Sequence, residues 1–172
     1  MYASKWSDKE TWMYICPPVA GEIVHIPAGL NLLLDVDATP ILQSIVVEGG
    51  LIIEPDSNPA HVRNLNTDSL IIRGGSVEFG SPSHPYTSKL NLNFHGGKDD
   101  AKLPVFGNKV LGVTSGCLDI HGEERDILKT RLKTTASVGD TWIELADVPV
   151  GQNFDWKVDE EILIVTTYLE GK

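Results

Sequence analysis

Between Gln43 and Gly122 the chain states one pattern three times. The copies are Ser44-Ile-Val-Val-Glu-Gly-Gly50 then Leu-Ile-Ile-Glu; Ser69-Leu-Ile-Ile-Arg-Gly-Gly75 then Ser-Val-Glu-Phe-Gly80; and Val110-Leu-Gly-Val-Thr-Ser-Gly116 then Cys-Leu-Asp-Ile-His-Gly122. Each is a short apolar run, a glycine corner and a second short run. A unit this short cannot enclose its own apolar face, so it must stack on its neighbours. The pattern predicts an all-β fold, a right-handed parallel β-helix (a solenoid) with each copy forming one rung.

Side chains alternate across a strand, so aligning the copies assigns faces. Before the corner, Ile45 and Val47 match Leu70 and Ile72, and Leu111 and Val113; all should point inward. After it, Val77 and Phe79 match Leu118 and Ile120 and should also point inward. Glu78 and Asp119 lie between them and should point out. Glu48, Arg73 and Thr114 should stack as an outer column, with Glu48 and Arg73 as an ion pair. Gly50, Gly75, Gly116 and Gly122 are read as structural glycines, required by positive φ or by close backbone approach.

Sixteen glycines and ten prolines punctuate these runs without forming a low-complexity tract, which favours an all-β domain over disorder. A length of 172 residues suits one domain, residues 1–172. The net charge of −10, with no Lys/Arg run, argues against nucleic-acid and anionic-membrane partners. The same acidity leaves room for Ca²⁺, which takes carboxylate and carbonyl oxygens; no other cofactor is expected. Two cysteines, Cys16 and Cys117, are too few for a disulfide framework; they read as one bridge or as two buried free thiols. No apolar run is long enough to cross a bilayer and no signal peptide is evident, so direct membrane insertion is not expected. The chain starts close to its first motif and stops on a strand-like run, which suggests a domain excised from a larger protein.

Outside the repeats, Trp6-Ser-Asp-Lys-Glu-Thr-Trp12 reads either as a sugar-stacking platform or as an N-terminal cap on the core, with Ser7 or Asp8 capping a helical turn. Glu22–Ile26 and Asn31–Val36 read as strands, with His25 pointing outward. Asp35, Asp37 and Thr39 invite a Ca²⁺ reading but lack the glycine and terminal Glu of an EF-hand loop, so a turn is preferred. His61–Asn66 reads as a short strand, Ser81–Tyr86 as a hairpin-like excursion, and Gly96–Pro104 as a loop. Lys89-Leu-Asn-Leu-Asn-Phe-His95 alternates strictly: Leu90, Leu92 and Phe94 in; Asn91, Asn93 and His95 out. That outer row either hydrogen-bonds a glycan or is solvated. Ile127–Lys133 and Glu161–Thr166 read as further strands, and Val138–Leu145 as a turn plus a strand.

Taken in order, these motifs resemble the G-eight domain, a module named for its eight glycines. The resemblance rests on Trp6-Ser-Asp and Thr-Trp12, Pro-Pro-Val-Ala-Gly21, Ile-Pro-Ala-Gly29, Leu-Leu-Asp-Val36, Thr-Pro-Ile-Leu42 and Glu-Gly-Gly-Leu51. It continues through Ile-Arg-Gly-Gly75, Glu-Phe-Gly80, His-Pro-Tyr86, Phe-His-Gly96, Leu-Pro-Val-Phe-Gly107, Leu-Asp-Ile-His-Gly122 and Asp-Trp-Lys-Val158. Val158-Asp159-Glu160 stands where the family would have Gly-Asp-Glu. The resemblance implies a β-helical module on the extracellular side of secreted or membrane-anchored proteins, such as fibrocystins and a hyaluronan-depolymerising family. It transfers no catalytic residue.

Two functions follow as expectations. One is a non-catalytic extracellular module that binds a glycan or protein ligand, or acts as a scaffold in a fibrocystin-like receptor. The other is part of a depolymerase of hyaluronan or another polysaccharide. There Glu78 and Asp119 would be the carboxylate pair that glycoside hydrolysis needs, with His95 or His121 as acid/base partner. The same four residues are the candidate ligand contacts in the first reading.

Overall fold

The computed structural model describes residues 3–13, 16–97, 99, 103, 106–146, 154–158 and 160–165. It divides into two compact units, Met1–Glu123 and Glu124–Lys172. The regular structure of the first unit is almost wholly strand: β1 (Ser4–Lys5), β2 (Ile23–Ile26), β3 (Asn31–Leu33), β4 (Ser44–Val47), β5 (Gly50–Ile53), β6 (Val62–Thr67), β7 (Ser69–Phe79), β8 (Lys89–Phe94) and β9 (Val110–Ile120). Lys9–Trp12 forms one 3₁₀ turn.

Every pairing between these strands is parallel. β2, β4, the first half of β7 and the first half of β9 lie side by side, with Ile45 opposite Leu70 and Leu70 opposite Leu111. β1, β3, β5 and the second halves of β7 and β9 form a second run, with Leu51 opposite Val77 and Val77 opposite Leu118. Because β7 passes through the corner unbroken, the two runs belong to one curled parallel sheet. A third run pairs β6 with β8, and single bridges tie Ala38 to Asn64 and Leu42 to Thr67.

The alternation read from the sequence places the core correctly. Ile45, Val47, Leu70, Ile72 and Val77 are fully buried, and Phe79 nearly so, together with Leu32, Leu34, Leu51, Ile53 and Leu65. Leu90, Leu92 and Phe94 pack against this cluster from β8. The third copy departs from expectation. Val113 is 45% exposed and Ile120 61%, because β9 is the last strand of its sheet and no further described strand covers it.

The corner alignment slips by one residue. Gly50 pairs with Ser76, so it is Gly49 that lies beneath Gly75. A Cβ at Gly75 would sit 2.2 Å from the Gly49 carbonyl oxygen, and one at Gly116 would sit 2.2 Å from the Gly75 carbonyl oxygen. Gly116 also has φ +125°, whereas Gly75 needs glycine for space alone. A Cβ at Gly50 would instead meet the Asn31 side chain at 2.3 Å, and one at Gly122 would meet nothing within 4 Å. A bulge at the third corner sets Ser115, not Thr114, opposite Arg73. The Thr114 hydroxyl turns back to the Ile72 carbonyl at 3.1 Å.

Trp6 is buried, meets Trp12 edge-to-face at 5.2 Å, and its carbonyl accepts from Trp12 Nε1 at 2.7 Å. The pair is a cap on the core and not a platform for sugars. Asp8 caps the 3₁₀ turn through Glu10 N, and Asp35 accepts from Ser7 N and Oγ at 2.9 and 2.6 Å, fastening the cap to the chain beyond β3. Burial pushes the Asp35 carboxyl up, but the two Ser7 hydrogen bonds outweigh it and hold it below the usual range. The excursion at Ser81–Tyr86 closes on a Ser81–His84 bridge.

In the second unit the expected strands at Ile127–Lys133 and Val138–Leu145 reduce to one antiparallel bridge, Leu132 with Leu145, reinforced by a Lys133–Glu144 ion pair at 2.7 Å. Residues 161–165 are not a strand, and Thr166 lies outside the described residues. Asp155 anchors the unit through the Asp126 and Ile127 amides, Trp156 Nε1 donates to the Ile127 carbonyl, and Arg125 pairs with Glu160. Alternation alone suggested strands there, but an isolated two-stranded pairing has little to hold it. Of the Val158–Glu160 turn, Asp159 lies outside the described residues, as do Lys98, Asp100–Lys102, Pro104 and Val105 of the loop region.

Replacing Gly75 by Ala should cost about 1–3 kcal/mol, because the new methyl meets backbone that cannot step aside. Gly122→Ala should stay within about 0.5 kcal/mol of the parent. Chemical denaturation of both variants checks the contrast; equal effects would contradict it.

Candidate functional site

Parallel stacking in register turns equivalent outward residues into columns, and three columns carry chemistry. On the first run, Glu48 sits between His25 and Arg73. His25 Nε2 lies 2.8 Å from Glu48 Oε2, while Arg73 Nε and Nη2 reach Oε1 at 2.9 and 2.6 Å. His25 on β2 stands opposite Val46 and reaches along to Glu48, the residue after β4, while Arg73 reaches it from β7, so the contact joins three successive segments. The hydrogen bond from His25, followed by those from Arg73, holds the Glu48 carboxyl below the usual carboxylate range.

The second column contains Glu78 and Asp119, which are register partners on β7 and β9. Ser76 Oγ donates to Glu78 Oε1 at 3.2 Å, and Cys117 Sγ donates to Asp119 Oδ2 at 3.3 Å. That bond to Asp119, with the charges of Asp119 and Glu78, pushes the Cys117 thiol up, making it a poorer nucleophile. Cys16 and Cys117 are both free and both exposed, so the buried-thiol reading and the bridge reading both give way.

The third column is an amide ladder on the β6–β8 pair. Asn66 Nδ2 donates to the Thr39 carbonyl at 2.8 Å, Asn93 Nδ2 donates to Asn66 Oδ1 at 3.0 Å, and Asn91 Nδ2 donates to Asn64 Oδ1 at 3.0 Å. His95 Nε2 joins at 3.2 Å from Asn66 Oδ1. The outward row of β8 is an ordered network across successive segments.

The G8 domain family model matches residues 6–133. The chain belongs to the G8 domain family. Mouse fibrocystin-L is 33% identical over 167 residues, covering 97% of this chain, and mouse fibrocystin is 30% identical over 165 residues, covering 96%. The chain spans 4% of the length of either relative. Protein rliB of Dictyostelium discoideum is 29% identical over 169 residues, covering 94% of this chain and 14% of that protein.

Within this G8 domain, the four candidate contacts sit on named elements as follows. Glu78 and Asp119 are neighbours on the curled sheet, and His95 belongs to the amide ladder on the separate β6–β8 sheet. His121 follows β9; its amide donates to Phe79 and its carbonyl accepts from Tyr86 N at 2.6 Å. The Asp35–Asp37–Thr39 stretch is consumed internally: Asp35 by Ser7, Asp37 by His61, and Thr39 by Asn66. Among the described residues no group of three or more His, Cys, Asp or Glu side chains is arranged to hold a metal ion. None of their helices is long and apolar enough to cross a membrane.

Sequence reasoning paired Glu48 with Arg73 but missed His25, whose segment has no double-glycine corner to align. It also missed Asn64 and Asn66 beneath Asn91 and Asn93, although both strands share an Asn-Leu-Asn core that could have set the register. The depressed Glu48 carboxyl carries a sign: its stabilisation is present above the ordinary glutamate range and fades as pH falls through the lowered one. Glu48→Gln should therefore melt below the parent at neutral pH, with the gap closing in acid. Melting curves across that range test this; a gap that widens in acid would contradict it.

Proposed function

We propose that this G8 domain is a non-catalytic ligand-binding or scaffold module on the extracellular side of a secreted or membrane-anchored, fibrocystin-like receptor. We take the rungs to form a right-handed β-helix, supported by the strong preference of parallel crossovers within one sheet for that hand. The supporting observation is the amide ladder. Asn64, Asn66, Asn91, Asn93 and His95 form an ordered polar strip that requires no movement to present donors and acceptors to a partner. A shallow, preorganised strip suits an extended glycan or a protein surface better than a small molecule that needs enclosure.

A glycan array and a protein-partner screen on the full chain test this reading. Asn91→Ala and Asn93→Ala should each weaken the captured ligand about 2–10-fold, the cost of a lost hydrogen bond. No ligand at all would leave a structural role only. Binding unmoved by either variant would shift the site off the ladder.

One observation favours the second reading, a share in polysaccharide depolymerisation. Glu78 and Asp119 are register partners, and neighbouring strands lie about 5 Å apart, close to the carboxylate spacing of retaining glycosidases. Against it, their visible partners are Ser76 and Cys117, and His95 serves the ladder. Loss of hyaluronan cleavage in Glu78→Gln or Asp119→Asn of an active parent protein would favour this second role.

A further inference from the structure

We infer that His61 is a proton-dependent clamp, closed by Asp37 on one side of its ring and Asp56 on the other. His61 Nε2 lies 3.0 Å from Asp37 Oδ1, and Nδ1 lies 3.1 Å from Asp56 Oδ2. The two carboxylates come from different segments. Asp37 is on the connection after β3, and its carbonyl accepts from Asn64 N at 2.8 Å. Asp56 is on the turn after β5; its carboxylate accepts from Asn58 N at 2.8 Å, and its own amide donates to Ser88 Oγ at 3.0 Å. The backbone of His61 is pinned as well: its amide donates to the Asn58 carbonyl, and its carbonyl accepts from Lys89 N, both at 3.0 Å. Three successive segments therefore meet at this ring, whose side chain is only 21% exposed.

A neutral imidazole has one N–H and one lone pair. Whichever tautomer it adopts, one carboxylate oxygen would face that lone pair at close range. The buried Nδ1 makes no aligned hydrogen bond, so its contact with Asp56 is favourable only as an ionic one. The imidazolium, with two N–H groups and a positive charge, meets both carboxylates. The surrounding charges agree. Arg63 on β6 is buried and spends its guanidinium on the Val36 and Glu54 carbonyls, while Lys89 on β8 approaches through its backbone with its side chain exposed. Asp56 feels both His61 and Arg63, while the ring nitrogen of His61 is the partner of Asp37, whose side chain is otherwise open to water. This clamp lies at the entry to β6, which carries Asn64 and Asn66. It does not depend on what the ladder binds.

The sign follows from linkage: a proton favoured by the folded state adds stability in acid and withdraws it as pH rises above the histidine range, about 6.5 for a free imidazole. The test compares melting of the full chain with that of His61→Gln at about pH 5.5 and about pH 8, either side of that range. The gap should be larger at acid pH by about 2–4 °C. An equal gap, or a larger one at the higher pH, overturns the clamp. Asp37→Asn gives a second readout: its melting gap from the parent should likewise be larger at about pH 5.5 than at about pH 8. A gap that is equal at the two pH values, or larger at the higher one, refutes the clamp.

Discussion

Everything in the first unit depends on how closely the backbone can approach itself at the corners. The Gly49 carbonyl accepts from Ser76 N at 2.8 Å, and the same oxygen leaves no room for a methyl on Gly75. Gly116 repeats the arrangement against the Gly75 carbonyl. Stacking the corners this tightly lets the two flanking strands of each segment pair at once with those of the next. The apolar residues then line up as Ile45, Leu70 and Leu111 on one side of the bend, and as Leu51, Val77 and Leu118 on the other. Burial of those rows supplies the main driving force, but it is the corner geometry that sets their register.

Register in turn generates the outer surface. An outward residue on one segment necessarily stands beside the equivalent residue on the next, so like or complementary side chains form columns without any dedicated pocket. The molecule uses this in several chemistries: an ionic column at His25, Glu48 and Arg73, a carboxylate pair at Glu78 and Asp119, and an amide ladder on β6 and β8. Buried polar groups obey the same logic. Ser69 Oγ donates to Ser44 Oγ at 2.9 Å, and both hydroxyls are hidden from water. Such a wall offers contact along its length, and the proposed recognition of an extended partner rests on that geometry.

Much of this was legible in the sequence, and the failures have physical causes. Alternation identified Val47, Ile72 and Val77 as core because each lies in a strand with one face buried. It assigned Val113 and Ile120 to the core for the same reason, yet an alternation pattern cannot tell an inner rung from the last one. Gly50 was aligned with Gly75 because a Gly-Gly doublet looks the same at either offset; only the second-run pairing of Leu51 with Val77 reveals the slip. Ser4–Lys5, which pairs with β3, is too short to carry a period. The stretches around Ile127 and Trp142 alternate like strands, but their described residues form a single bridge.

The central claim is that successive glycine-cornered segments lie parallel and in register, and methyl–methyl NOEs measure that most directly. Labelled Ile, Leu and Val methyls should link Ile45 to Leu70 and Leu70 to Leu111, with Leu51 linked to Val77 and Val77 to Leu118 in the same spectrum. A reversed set, with Ile45 near Ile72 and Val47 near Leu70, would mean antiparallel pairing and would contradict the account.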